Sequence, residues 1–288
     1  MSDREQLIET VTRRVLTALS GRADPSLERC ADCQGGCAAQ CSDKVRQIVT
    51  VGAGRVSYGG DGRQVPSDLA QFIDHTLLRP ASTRDQIDRL CDEAREYGFA
   101  AVCVNPTWVR RAAERLRGSG VRIASVVGFP LGASTPEIKA MEARRALRDG
   151  AREIDMVLNV GALKSGDYAL VERDVAGVSD ACREVGALNK VIIEAALLTD
   201  EEKVVACRLA QAGRAHYVKT STGFGPGGAT VFDVALMRET VGLKMGVKAA
   251  GGISSASEAR EMVAAGATRI GASAGVAMVT GGSSSESY

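Results

Sequence analysis

From about Gln71 onward the chain alternates short apolar runs with longer amphipathic ones. The apolar runs Gln71–Leu78, Ala100–Asn105, Val121–Phe129, Glu153–Val160, Val191–Leu198, His216–Ser221, Gly246–Ala250 and Thr268–Gly271 read as strands. Between them, Thr83–Tyr97, a segment opened by Pro106, Thr135–Arg148, Asp167–Val185, a segment capped by Thr199, Val231–Val241 and Ala256–Ala265 read as helices. Thr199 with Glu202 three residues later is a capping box, and Pro136 suits a first helical turn. Gly98, Gly120, Gly150, Gly186, Gly213 and Gly266 stand where helices end.

Eight such βα units with continuously apolar strands predict parallel strands covered by helices. The predicted fold is an α/β TIM (β/α)8 barrel spanning residues 66–288. An open doubly wound sheet is the alternative, and no run reads as an edge strand. Barrel enzymes gather their chemistry at the C-terminal strand ends. Asp74, Asn105, Asp155, Glu194, Lys219, Lys248 and Ser273 interrupt or end the apolar runs, as such a site requires.

Residues 1–65 stand outside this pattern. In residues 1–20, Leu7, Ile8, Val11, Val15, Leu16 and Leu19 fall on one helical stripe, opposite Glu5, Glu9, Thr12, Arg13 and Thr17. An isolated helix of this length is marginal in water and needs a surface to dock on. Residues 21–65 read as a flexible linker rich in Cys and Gly.

Composition narrows the functional classes. A formal net charge of +1 and 4% aromatics give no footprint for nucleic acid or an anionic membrane. No apolar stretch approaches the roughly 18 residues that cross a bilayer, and the first residues carry no apolar signal core. The expected location is the cytoplasm, with the eight cysteines mostly reduced.

The run Tyr217-Val218-Lys219-Thr220-Ser221-Thr222-Gly223 places a lysine at the end of a short strand. An amine there becomes a nucleophile toward a carbonyl when burial or a nearby cation depresses its pKa. Lys248, one βα unit on, is that cation; it also reads as a phosphate-binding or ion-paired lysine. Lys219 itself reads alternatively as a packed stem with its amine snorkelling outward. Asp155 is a candidate proton shuttle, or an ion-pair partner that holds Lys248, or both. Gly251-Gly252, and Gly271-Ala272-Ser273 before a short helix, read as an anion cradle, a place where barrels commonly hold phosphate. The loop Gly223–Gly228 is placed to close over a ligand.

Together these motifs resemble the deoxyribose-phosphate aldolase family. The resemblance rests on Phe72-Ile73-Asp74-His75-Thr76, Val102-Cys103-Val104-Asn105-Pro106, Val127-Gly128-Phe129-Pro130-Leu131-Gly132, Glu153-Ile154-Asp155-Met156-Val157, Lys219-Thr220-Ser221-Thr222-Gly223-Phe224-Gly225, Lys248-Ala249-Ala250-Gly251-Gly252 and Arg269-Ile270-Gly271-Ala272-Ser273-Ala274-Gly275. It implies a TIM barrel and reversible, cofactor-free cleavage of 2-deoxy-D-ribose 5-phosphate to acetaldehyde and D-glyceraldehyde 3-phosphate. It implies Lys219 as the Schiff-base lysine, Lys248 as its pKa partner and Asp155 as the proton shuttle. Asp74, Thr76 and Cys103 match substrate-contacting positions, and Thr222 matches one that holds a water. A homodimer is expected from the family alone.

Two departures stand out. Many relatives carry a hydrophobic residue and then arginine after Gly251-Gly252, where this chain has Ile253-Ser254, so one phosphate contact is weaker. The chain also ends in Tyr288, and some relatives send a C-terminal tyrosine into the site to assist enamine protonation; a frayed tail is the alternative.

Residues 1–20 are similar to the encapsulation peptides of bacterial microcompartment cargo, which would make shell proteins a partner. A helix packed on the barrel, an oligomer contact or a membrane-surface helix are the alternatives, the last disfavoured by the mixed charge of the polar face. Cys30, Cys33, Cys37 and Cys41, spaced C-x2-C-x3-C-x3-C, suit zinc or an iron–sulfur cluster, or form an unliganded linker. Two further functions compete: a Schiff-base barrel lyase acting on another phosphorylated sugar, and a silent scaffold for shell proteins.

Overall fold

The computed structural model describes residues 3–19 and 69–281. The chain divides after Ser67 into two units. In the first, helix α1 (Asp3–Leu19) occupies nearly the whole predicted amphipathic segment. Its polar face carries an i,i+4 pair in which Arg13 donates to Glu9 at 3.0 Å. The predicted Cys-rich linker and the tail ending in Tyr288 lie outside the described residues.

In the second unit, eight strands close on themselves in sequence order. They are β1 (Ile73–Leu77), β2 (Ala101–Val104), β3 (Arg122–Val127), β4 (Glu153–Val157), β5 (Leu188–Ile192), β6 (Tyr217–Lys219), β7 (Gly246–Ala250) and β8 (Arg269–Ala272). Each pairs in parallel with the next, and β8 returns to β1 through Asp74 opposite Gly271. The predicted (β/α)8 barrel is therefore the fold.

The outer ring consists of α2 (Arg84–Glu96), α3 (Val109–Arg115), α4 (Pro136–Asp149), α5 (Val160–Lys164), α6 (Tyr168–Arg183), α7 (Asp200–Ala212), α8 (Val231–Val241), α9 (Ala256–Ala264) and α10 (Gly275–Thr280). The strands are almost wholly buried because helices cover one face and the barrel interior the other. Helix starts obey local rules. Thr83 with Gln86, Thr199 with Glu202 and Ser255 with Glu258 form capping boxes, and Pro136 opens α4.

Several strand boundaries differ from the sequence pattern, those of three strands for a local reason. The first strand starts late because Ala70–Phe72 forms a 3-10 turn. The fourth stops at Val157, and Asn159 then caps the short α5 by accepting the Ala162 N–H at 3.0 Å. The fifth runs Leu188–Ile192, and Ala195–Leu197 forms a 3-10 turn instead of strand. Asn189 and Lys190 disguise its start, for reasons that lie inside the barrel. Gly213 also differs. Arg214, not the glycine, takes the left-handed conformation, at φ +60°. Gly213 is needed for space, since a Cβ there would lie 2.5 Å from a Val175 methyl on α6.

Candidate active site

The barrel interior is charged. Asp74 on β1, Glu153 and Asp155 on β4, Lys190 on β5, Lys219 on β6, Lys248 on β7 and Arg269 on β8 are all buried and meet in one network. Register explains the meeting: Asp155 lies opposite Lys190, Lys219 opposite Lys248, and Lys248 opposite Arg269.

Asp155 is the hub. Its Oδ2 accepts from Lys219 Nζ at 2.9 Å and from Lys248 Nζ at 2.8 Å. Its Oδ1 accepts from Lys190 Nζ at 2.7 Å. Lys248 also donates to Asp74 Oδ2 at 2.5 Å, so two carboxylates hold it. Below them, Arg269 donates to Asp74 Oδ1 at 2.5 Å and reaches both Glu153 oxygens at 3.1 Å. Lys190 closes the loop with Glu153 at 2.5 Å.

Within this network four cationic side chains face three carboxylates. A buried surplus charge is costly, so a basic group there tends to give up its proton. The groups do not share that burden equally. Lys248 and Lys190 are buried, which disfavours their charge. Asp155 outweighs this at both, with Asp74 at Lys248 and Glu153 at Lys190, and both amines are pushed above the usual lysine range. Burial would raise Asp155, yet Lys190, Lys219 and Lys248 together hold it well below the usual carboxylate range. Lys219 goes the other way. Burial lowers its pKa, Asp155 resists, and the charge of Lys248 adds to the lowering. Of the two causes open in the sequence, desolvation is thus the larger and the neighbouring cation the smaller.

The other predicted residues lie on neighbouring strands and on the loops that follow them. Cys103 on β2 is buried, which pushes its thiol above the usual range. Thr76 lies near the end of β1 and donates its hydroxyl to the Asp74 carbonyl at 2.8 Å. Thr222 donates its N–H to Glu194 at 3.2 Å, and its hydroxyl makes a short hydrogen bond to the same carboxylate. Glu194 is buried and left-handed at φ +51°, just after β5. It therefore anchors the loop that follows Lys219.

That loop lies against the end of β7. Ala229 donates to the Gly251 carbonyl at 2.9 Å, and a Cβ on Gly228 would lie 2.3 Å from that carbonyl oxygen. Gly223, Gly251 and Gly252 all take positive φ. Gly223 and Gly228 thus lie against Gly251, while the second glycine run is placed differently from the sequence pattern. Gly271 lies within β8, opposite Asp74 and Ala250, and Ser273 alone of that pair follows the strand. Ser254, the departure from the family pattern, is engaged at the start of α9. Its N–H and Oγ donate to Glu258 at 2.8 and 3.0 Å.

The structure brings Lys219, Lys248, Asp155, Asp74 and Cys103 to one place. It adds Lys190, Glu153 and Arg269, which the sequence pattern does not single out, and it gives Glu194 a role the pattern leaves open. The available signal is a charged residue inside an otherwise buried strand, which is rare without a partner. Tyr288 and Cys30, Cys33, Cys37 and Cys41 lie outside the described residues. Among the described residues no cluster of three His, Cys, Asp or Glu side chains is set to hold a metal, and no helix is long and apolar enough to cross a membrane.

Comparison with known proteins extends the picture. Residues 69–281 match the DeoC/LacD family aldolase. The deoxyribose-phosphate aldolase of Streptococcus gordonii is 59% identical over 220 residues, covering 76% of this chain and 99% of that protein. The enzyme of the same name from Streptococcus pneumoniae serotype 19F is 62% identical over 213 residues, 74% of this chain and 96% of that one. Among solved structures, the tetrameric deoxyribose phosphate aldolase of Aeropyrum pernix superimposes with a TM-score of 0.71 at 35% identity. It covers 82% of this chain and 96% of its own.

Proposed function

Because the chain belongs to the DeoC/LacD family of aldolases, we propose that it cleaves 2-deoxy-D-ribose 5-phosphate reversibly to acetaldehyde and D-glyceraldehyde 3-phosphate through a Schiff base on Lys219. The observation that carries this reading is the buried Lys219 amine, 2.9 Å from Asp155 in a network whose other six charges already balance, so that a protonated Lys219 would be one cation too many.

The neutral amine attacks the C1 aldehyde of the open-chain sugar, and loss of water leaves an iminium. The iminium carries a positive charge that cannot be shed as a proton to bulk water. It restores the surplus that the interior disfavours. Breaking the C2–C3 bond sends its electron pair into the iminium and leaves a neutral enamine on Lys219. The proton of the sugar's C3 hydroxyl leaves as that carbon becomes the aldehyde carbon of D-glyceraldehyde 3-phosphate. Protonation of the enamine at C2 and hydrolysis release acetaldehyde and the free amine.

Asp155 serves these transfers by orienting both amines and passing a proton through a water that Thr222 holds. Its strongly ionised carboxylate suits a brief relay better than storage of a proton. Asp74, Thr76 and Cys103 contact the sugar. Gly223, Gly251, Gly252, Gly271 and Ser273 surround its phosphate, where Ser254 in place of arginine weakens the grip. Tyr288 assists enamine protonation.

The test is chemical trapping. Full-length protein is incubated with 2-deoxyribose 5-phosphate, reduced with borohydride and digested for mass spectrometry. An N-ethyl adduct on Lys219 is expected. Cleavage that proceeds with no adduct, or with an adduct on another lysine, overturns the reading.

The amphipathic helix α1 carries a second proposal: residues 1–20 dock the enzyme to microcompartment shell proteins. Its support is the helical span with a mixed-charge polar face, which fits a protein surface better than an anionic membrane. Aldolase activity in native host extract should sediment with large particles for the full chain and stay in the soluble fraction once residues 1–20 are deleted. Identical sedimentation of the two forms removes this role.

A further inference from the structure

Lys190 is a lysine with no access to solvent and no place in the bond chemistry above. It is fully buried on β5, with its amine 2.7 Å from Asp155 Oδ1, 2.5 Å from Glu153 Oε2 and 3.6 Å from Asp74 Oδ2. Three carboxylates therefore converge on it, and one of them is the carboxylate that touches Lys219. A lysine needed only to fill the barrel would be replaceable by an apolar side chain of similar length at little cost. Here the charge has a further consequence, set by counting.

Asp74, Glu153 and Asp155 supply three negative charges; Lys190, Lys248 and Arg269 supply three positive ones. With these six in place the interior is neutral without Lys219. Remove Lys190 and the same three carboxylates lack a cation. The nearest group able to supply one is Lys219, by keeping its proton. Freed from its pair, Asp155 Oδ1 also presents a less neutralised carboxylate to the Lys219 amine.

Resting on the aldolase reading of Lys219, we propose that Lys190 is a positioning residue whose charge and grip on Asp155 leave Lys219 free to stand as an uncharged amine. It acts through Asp155 and does not touch substrate. Its effect is separate from that of Lys248, which repels Lys219 directly from the neighbouring strand. The groups that set the outcome come from the surrounding strands. They are Asp74 on β1, Cys103 on β2, Glu153 and Asp155 on β4, Lys248 on β7 and Arg269 on β8, and from the covering helix α6 the buried thiol of Cys182 also faces Lys190, its pKa pushed up to about 12 by burial. Arg122 on β3 also reaches Glu153 at 3.3 Å, but its side chain is 54% exposed, so solvent screens its charge.

The proposal makes opposite predictions for opposite charge changes, which a purely structural role would not. Lys190→Met removes a cation and should move the titration midpoint of Lys219 upward by about one pH unit or more. Glu153→Gln removes an anion and should lower it. The double variant restores the balance and should return the midpoint close to that of the parent. Lys219 is followed in the full-length protein by NMR of isotope-labelled lysine, with Lys219→Met assigning the signal. The acid limb of kcat/KM should move with it. Near neutral pH, Lys190→Met should then lose on the order of tenfold in rate for every pH unit by which the midpoint rises.

If Lys190→Met does not fold, Glu153→Gln and the double variant still carry the sign test, and Lys190→Gln offers a neutral partner for Asp155. An unchanged Lys219 midpoint in folded Lys190 and Glu153 variants overturns the proposal. The NMR midpoint requires no turnover, so this failure is distinct from absence of the borohydride adduct, which would overturn the aldolase reading instead.

Discussion

Lys219→Met should abolish cleavage and at the same time make the protein more stable. Loss of the amine removes the only atom on which the proposed iminium forms. The expected fall in kcat is at least about 10⁴-fold, the scale seen when a covalent nucleophile is deleted. The stability gain comes from the same burial that activates the amine. Lys219 is held below its ordinary pKa, chiefly by desolvation. Its folded form therefore binds fewer protons than its unfolded form at any pH between the two values, and stability rises with pH through that window. Below the folded value the whole penalty of burying a charged amine is present; near the unfolded value of 10.5 it is gone. Methionine carries no such penalty. The variant should be more stable, by about 1.4 kcal/mol for each pH unit by which burial depresses the Lys219 amine. The difference should be larger at pH 6 than at pH 10. Paired denaturant titrations at the two pH values check it, and a variant less stable than the parent at both would contradict it.

Asp155→Asn is expected to be costly on both counts. Three lysine amines lie within 2.9 Å of that carboxylate. Without its charge, Lys190 and Lys248 face only Asp74 and Glu153, together with Arg269. Leaving buried cations uncompensated costs about 3–5 kcal/mol. The pH dependence has a definite sign. The folded pKa of Asp155 is depressed well below 3.8, so its stabilisation is complete above that value and is lost only as pH falls through the folded one. The gap between parent and variant should accordingly be flat at neutral pH and narrow only in strong acid. On rate, the loss of both the proton relay and the amine alignment should cost roughly 10³-fold or more. Lys219 should also lose its proton at still lower pH, because its one neighbouring anion is gone. A fall in kcat of less than tenfold would remove Asp155 from the proposed proton path.

Most of the architecture is legible in the chain. The alternation of apolar runs with capped amphipathic segments announces a closed parallel barrel, because each signal is local. Thr199 with Glu202 and Pro136 act within a few residues of themselves. The boundaries that differ do so for tertiary reasons. The apolar pattern starts strand β5 three residues late because Asn189 and Lys190 look like loop, yet both are buried. Asn189 donates to Ser179 on α6 at 2.9 Å, and Lys190 turns inward to three carboxylates. The pattern also carries the same strand too far at its other end, where the left-handed Glu194 turns the chain into a 3-10 turn.

The site divides along the same line. A lysine at the end of β6, a second in the apolar run of β7 and a carboxylate in β4 are visible by residue type and place, and those alone determine which chemistry the chain is read to carry. What only the tertiary structure decides is which lysine is held below its usual pKa and what holds it there. That depends on cancelling charges between residues as far apart as Asp74 and Lys248, 174 positions distant in the chain. In strands buried on both faces, an inward side chain and an outward one look alike in sequence. Closure of the barrel is what turns Glu153, Lys190 and Arg269 toward the same interior, where burial lowers the pKa of Lys219 while the carboxylates around Lys190 and Lys248 raise theirs.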